Sequence, residues 1–130
     1  MKITYTSKKG LVQEPGSGFL IEGLSAGGAL TSASLESLSG PGAASVATTT
    51  TNCTAQATND DVTLADGTVP GQLKRIALVA ETAGGDSIRI TPANFAAGTT
   101  VTIENPMQEI TFIWDGSEWR IFMNMGGQVA

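Results

Sequence analysis

Residues 46–130 predict an all-β fold, a small antiparallel β-sandwich or barrel. Three observations carry that expectation. Apolar and polar residues alternate in six or seven short runs, turn signals separate the runs at intervals of about ten residues, and the composition suits no helical enzyme. Of 130 residues, 41% are hydrophobic and only 15% charged, with 16 glycines and a dense population of Thr, Ser and Ala. Residues 1–45 carry no sustained periodicity and read as an extended N-terminal arm.

Taken in order, the β-branched threonines of residues 48–58 permit a first strand. Residues 61–65 alternate, with Val62 and Leu64 on one side, and Asp66-Gly67 and Pro70-Gly71 are turn signals. Residues 72–81 are apolar on both faces, as a central strand requires. A turn at Gly84-Gly85-Asp86 leads to a strand through Ile88 and Ile90, then to a connector over 92–98 holding one buried-looking aromatic, Phe95. Residues 100–104 alternate again, and Asn105-Pro106 turns the chain. The last pair, 109–115 and 118–123, forms a hairpin around Gly116-Ser117. A four-residue loop there pairs Trp114 with Trp119, Phe112 with Ile121 and Ile110 with Met123, all on one face. The other face carries Thr111, Ile113, Arg120 and Phe122, which is half apolar and unlike a solvent face.

Within the arm, residues 2–6 alternate and predict a short strand with Ile3 and Tyr5 on one side. Phe19, Leu20 and Ile21 form an apolar anchor between glycines. Residues 31–38 predict about two helical turns stopped by Gly40-Pro41-Gly42. Lys2, Lys8 and Lys9 concentrate positive charge, as a solvated tail or as a dock for an acidic partner.

The composition excludes more chemistry than it suggests. Histidine is absent, which removes Ser-His-Asp and Cys-His catalysis and His-ligated zinc. The single Cys53 excludes an internal disulfide framework and reads as a free structural cysteine. A net charge of −5 argues against nucleic acid, whose phosphates require a basic footprint. No run is long enough for a membrane span, and no signal-peptide pattern opens the chain. Asn59-Asp60-Asp61 with Asp66 reads as an acidic turn rather than a calcium loop. The carboxylate pairs Asp115 with Glu118 and Glu104 with Glu109 stand on exposed turns, without the cleft a glycosidase needs. The expectation is therefore no catalytic residue, no cofactor, no metal, and no enzyme.

A β core of this size buries only about 60% of its unfolded surface and is marginal without a staple. Oligomerisation is the remaining staple, with Ile113, Arg120 and Phe122 as its interface. The arm, lacking a core of its own, orders on a partner.

From Thr48 to Met123, the Thr-rich lead-in, DVTLADG (61–67), GQLKRI (71–76) and IWDGSEWRI (113–121) together resemble small structural modules of tailed bacteriophages, especially those of marine cyanobacterial phages. The resemblance implies a trimeric β-sandwich or barrel that serves as a capsid decoration (cement) protein or as a head- or tail-fibre module. It further implies a homotrimer on the outer capsid surface of the virion, made in the host cytoplasm and bound to the major capsid protein through Lys2, Ile3, Tyr5, Lys8, Lys9, Phe19, Leu20 and Ile21. The short chain leaves no room for shaft repeats and favours decoration. The alternative is a fibre or baseplate module binding host glycans, which an exposed aromatic pair would mark.

Overall fold

The computed structural model describes residues 3–6, 10–13 and 34–130, and the chain divides into two units, Met1–Ser32 and Ala33–Ala130. In the first unit, strands β1 (Ile3–Thr6) and β2 (Gly10–Gln13) pair antiparallel, with Ile3 opposite Gln13 and Thr6 opposite Gly10. The strand expected over 2–6 is thus present and paired within its own unit. Lys2, Lys8, Lys9, Phe19, Leu20 and Ile21 lie outside the described residues.

The second unit is all β. Its strands are β3 (Leu35–Ser39), β4 (Gly42–Ala44), β5 (Thr50–Ala55), β6 (Asp60–Leu64), β7 (Leu73–Glu81), β8 (Ile88–Pro92), β9 (Val101–Ile103), β10 (Glu109–Trp114), β11 (Trp119–Met125) and β12 (Gln128–Val129). They form two open five-stranded sheets, ordered β11-β10-β7-β5-β3 and β12-β9-β8-β6-β4. The sandwich, not the barrel, is the form adopted.

The pairing departs from the antiparallel expectation. From β3 to β8 each strand crosses to the other sheet, so a strand returning to the first sheet arrives in the same direction as its predecessor. β3, β5 and β7 therefore stack in parallel, as do β4, β6 and β8, like successive turns of a coil. Antiparallel strands finish the stack: β10 adds to β7 and β11 to β10, β9 to β8 and β12 to β9. Each crossover is a strand of the opposite sheet, which meets the need of parallel pairs for a long connection without a helix.

Two expectations are corrected here. The described part of the stretch read as a helix is, from Leu35 on, the strand β3. It alternates between exposed and half-buried positions, and Leu38 packs on the core. The boundary expected after residue 45 also moves, because β3 and β4 are edge strands of the two sheets. Ala44 is buried, and Gly42 lies so close to Leu38 that a Cβ there would stand 2.8 Å from the Leu38 Cδ1.

Between the sheets lie Val62, Leu64, Ile76, Leu78, Ile88, Ile90, Val101, Ile103, Ile110, Phe112 and both tryptophans. The aromatics form a chain, with ring centroids 5.6 Å apart for Phe95 and Phe112, 6.3 Å for Phe112 and Trp119, and 5.3 Å for Trp119 and Trp114, all edge-to-face. Trp119 satisfies its buried N–H by donating to the Ala65 carbonyl at 2.9 Å. Gly67 earns its place by proximity: a Cβ would come within 2.3 Å of the Trp114 ring.

Candidate interaction surface

The two outer faces differ in chemistry. On the second sheet, Thr63 stands opposite Thr91, and Asp61 opposite Arg89, which it accepts at 2.7 Å. Thr102 pairs with Arg89 and Gln128 with Thr102, so this face is polar. On the first sheet, the outward positions of β7 and β10 place Leu73 opposite Ile113, and β11 adds Arg120 opposite Ile113. Beside them stand Phe122 (59% exposed) and Met123 (49%), with Leu35 on the far edge strand. Ion pairing neutralises the charges among these residues: Arg75 holds Glu109, and Arg120 reaches Asp115 and Glu118 at 2.6 Å each.

Of the residues expected to form one surface, Ile113 and Arg120 stand opposite one another on the outward side, and Phe122, unpaired at a bulge, is exposed near them. Leu73 and Met123 join them. Leu73 follows from the alternation of β7, but Met123 was placed inward by the simple hairpin register. Trp114 pairs with Trp119 and Phe112 with Ile121 as expected, yet a bulge after Phe112 sets Thr111 opposite Met123 and Ile110 opposite Asn124. The extra residue on β11 is Phe122. It swings the strand end over, so the thioether of Met123 leaves the core side.

At the tip of this hairpin the Arg120 guanidinium, with the backbone N–H groups of Glu118 and Ser117, holds the Asp115 carboxyl well below the usual carboxylate range. Asp115 in turn raises Arg120. Gly116, at φ 107°, supplies the left-handed backbone of that loop.

A polar cluster lies inside the sandwich. Lys74 points inward from β7 and is 1% exposed. Its ammonium donates to the Ser45 carbonyl (2.8 Å), the Thr48 carbonyl (3.0 Å) and the Thr48 hydroxyl (2.8 Å), with Glu36 at 3.8 Å. The Glu36 carboxylate accepts from Ser45 N–H and Thr51 Oγ1, each at 2.9 Å, and from Thr48 Oγ1 at 3.1 Å. Burial pushes the Lys74 amine down against the pull of Glu36. Burial also raises the Glu36 carboxyl, but its hydrogen bonds from Ser45, Thr51 and Thr48, with the Lys74 charge, outweigh that and leave it lowered. An ammonium with all three protons engaged by oxygens has none free for chemistry. The cluster ties the segment between β4 and β5 to the core. Cys53, buried beside it, has its thiol pushed up to about 12 by desolvation and then by the Glu36 charge.

Among the described residues no three His, Cys, Asp or Glu side chains gather as a metal set, and no helix is long and apolar enough to cross a membrane. Compared with protein-family models and with curated proteins, the chain matches none.

Proposed function

We propose that this protein is a structural component of a tailed-phage virion, a decoration protein that seats as a homotrimer on the outer capsid surface and ties neighbouring copies of the major capsid protein together. The single observation that carries the reading is the exposed apolar group of Leu73, Ile113, Phe122 and Met123 on the β7–β10–β11 side of the first sheet, beside mostly polar outward rows on β5 and β3 and set against a polar outer face on the second. A lone domain gains nothing by exposing Phe122, Met123, Leu73 and Leu35, whereas exposed apolar surface of this kind commonly marks a protein contact. The residues of the first unit, with Ile3 and Tyr5 on β1 and the lysines at 2, 8 and 9, are assigned to the shell, and the sheet face to the contact between copies.

The fibre-module alternative calls for an exposed aromatic pair to stack on sugar rings. Trp114 and Trp119 are both buried, and Phe122 is a single aromatic on its face, so decoration is the better supported role. The test is co-sedimentation with undecorated shells of the phage that carries the gene. Binding at one trimer per lattice site is expected. Absence from the shell with retention on host polysaccharide would transfer the protein to the fibre class.

A further inference from the structure

We infer that Met107 is an anchor that inserts into an apolar pocket rimmed by basic residues on the major capsid protein; this deepens the decoration reading and rests on it. Residues 105–108 form a turn closed by the Gln108 N–H donating to the Asn105 carbonyl at 3.2 Å, with Pro106 at the second position and Met107 at the third. Met107 has φ 75°, the left-handed region that this position of such a turn reserves for glycine or asparagine. Its side chain is also 90% exposed, more than any other large apolar residue described. The chain thus accepts a left-handed backbone and an unburied thioether at one position; hydrogen bonds hold the turn, but the thioether itself is left almost fully exposed. Strain of this kind concentrates where a residue is needed by a partner, and an unbranched thioether adapts its shape to an apolar pocket.

The surroundings define the pocket. Met107 N–H donates to the Leu78 carbonyl and Leu78 N–H to the Gln108 carbonyl, so the exposed Val79 stands at the same end of the sheet. Gly126 faces Gln108 at close range and pairs with Glu109, which brings the exposed Met125 to that end as well. The uncancelled charges toward this end are Glu104, at the start of the turn, and Glu81, three residues beyond Leu78 on β7, since Arg75 and Glu109 neutralise each other. A second copy offering the same acidic rim would be repelled. A different protein with Lys or Arg around an apolar pocket is attracted.

Three proteins test this: the unaltered chain, Met107→Gly and Met107→Asn, each measured for melting temperature, oligomeric state and binding to undecorated shells across a salt series. Both substitutions suit a positive φ, so melting temperatures equal to or above that of the unaltered chain are expected, with shell binding at least tenfold weaker and the trimer intact. Glu104→Lys should likewise weaken binding and flatten its salt dependence. Shells that ignore the unaltered protein overturn the decoration reading and this partner with it. Equal binding by all three proteins overturns the anchor alone. A lower melting temperature for Met107→Gly overturns the strain argument, and loss of the trimer with binding retained reassigns the patch to the contact between copies.

Discussion

Lys74→Met should cost about 3–5 kcal/mol, because it leaves the Thr48 carbonyl without its ammonium donor, removes one donor from the Ser45 carbonyl and deprives Glu36 of its counter-charge. Chemical denaturation of the variant measures this directly. Glu36 contributes to the acid limb of stability. Its carboxyl is lowered in the folded chain, so its contribution is present above the ordinary value of 4.5 and is lost as pH falls through the folded value. Thr51→Val removes one of the donors that lower it, and the acid-unfolding midpoint should therefore move to higher pH. Trp119→Ala should cost about 3–5 kcal/mol, since the indole is fully buried between Phe112 and Trp114. A variant that melts like the parent would show that the aromatic chain is not the keystone of the core. Each of these residues is visible in the sequence, but Lys74 reads there as an ordinary surface charge in a strand.

The last hairpin shows how far an element can be read from its residues. Loop length and the two tryptophans were enough for the first two cross-strand pairs, and Trp114 opposite Trp119 and Phe112 opposite Ile121 are as read. Beyond them the bulge at Phe122 shifts the register by one, an event no alternation rule anticipates because both registers leave apolar residues on each face. Phe122→Ser should therefore weaken self-association and, by mass action, make the melting temperature lower and less dependent on protein concentration, although the side chain is 59% exposed within one copy. Sedimentation velocity at micromolar concentration reads the first and calorimetry the second. The two strands β3 and β4 make a further prediction. A chain starting at Ala33 should melt cooperatively, whereas one starting at Val46 loses both edge strands and Glu36 and should be far less stable. Equal melting of the two truncations would return residues 34–45 to the arm.

At the scale of the whole molecule, the parallel stack accounts for how so short a chain builds two five-stranded sheets without a disulfide or a metal set among the described residues. Alternating between sheets gives every strand from β5 to β8 a buried inner face, and the antiparallel strands β9 to β12 then complete the sandwich. What remains uncompensated is on the outside, where Leu73, Ile113, Phe122 and Met123 leave an apolar group on the β7–β10–β11 side of the first sheet. A homotrimer should persist at micromolar concentration, and a stable monomer in sedimentation equilibrium would remove the role given to the apolar group.

The sequence by itself determined the all-β class, the position of most strands and turns from Asp60 onward, and the core identity of Phe112, Trp114 and Trp119, because period-two alternation and turn residues are local signals that survive in one dimension. It also placed Ile113 opposite Arg120 on the outward side, since parity along a hairpin holds up to the bulge without knowledge of the rest of the fold. Only the tertiary structure decided which strands pair. Parallel partners such as Thr50 and Arg75 are far apart in sequence, and nothing local distinguishes a strand that folds back as a hairpin from one that crosses to the other sheet. The same holds for Leu35–Ser39, whose short run before Gly40 becomes a strand only because β5 offers it an edge, and for Lys74, whose charge is tolerated inside because three oxygens from a distant turn converge on it.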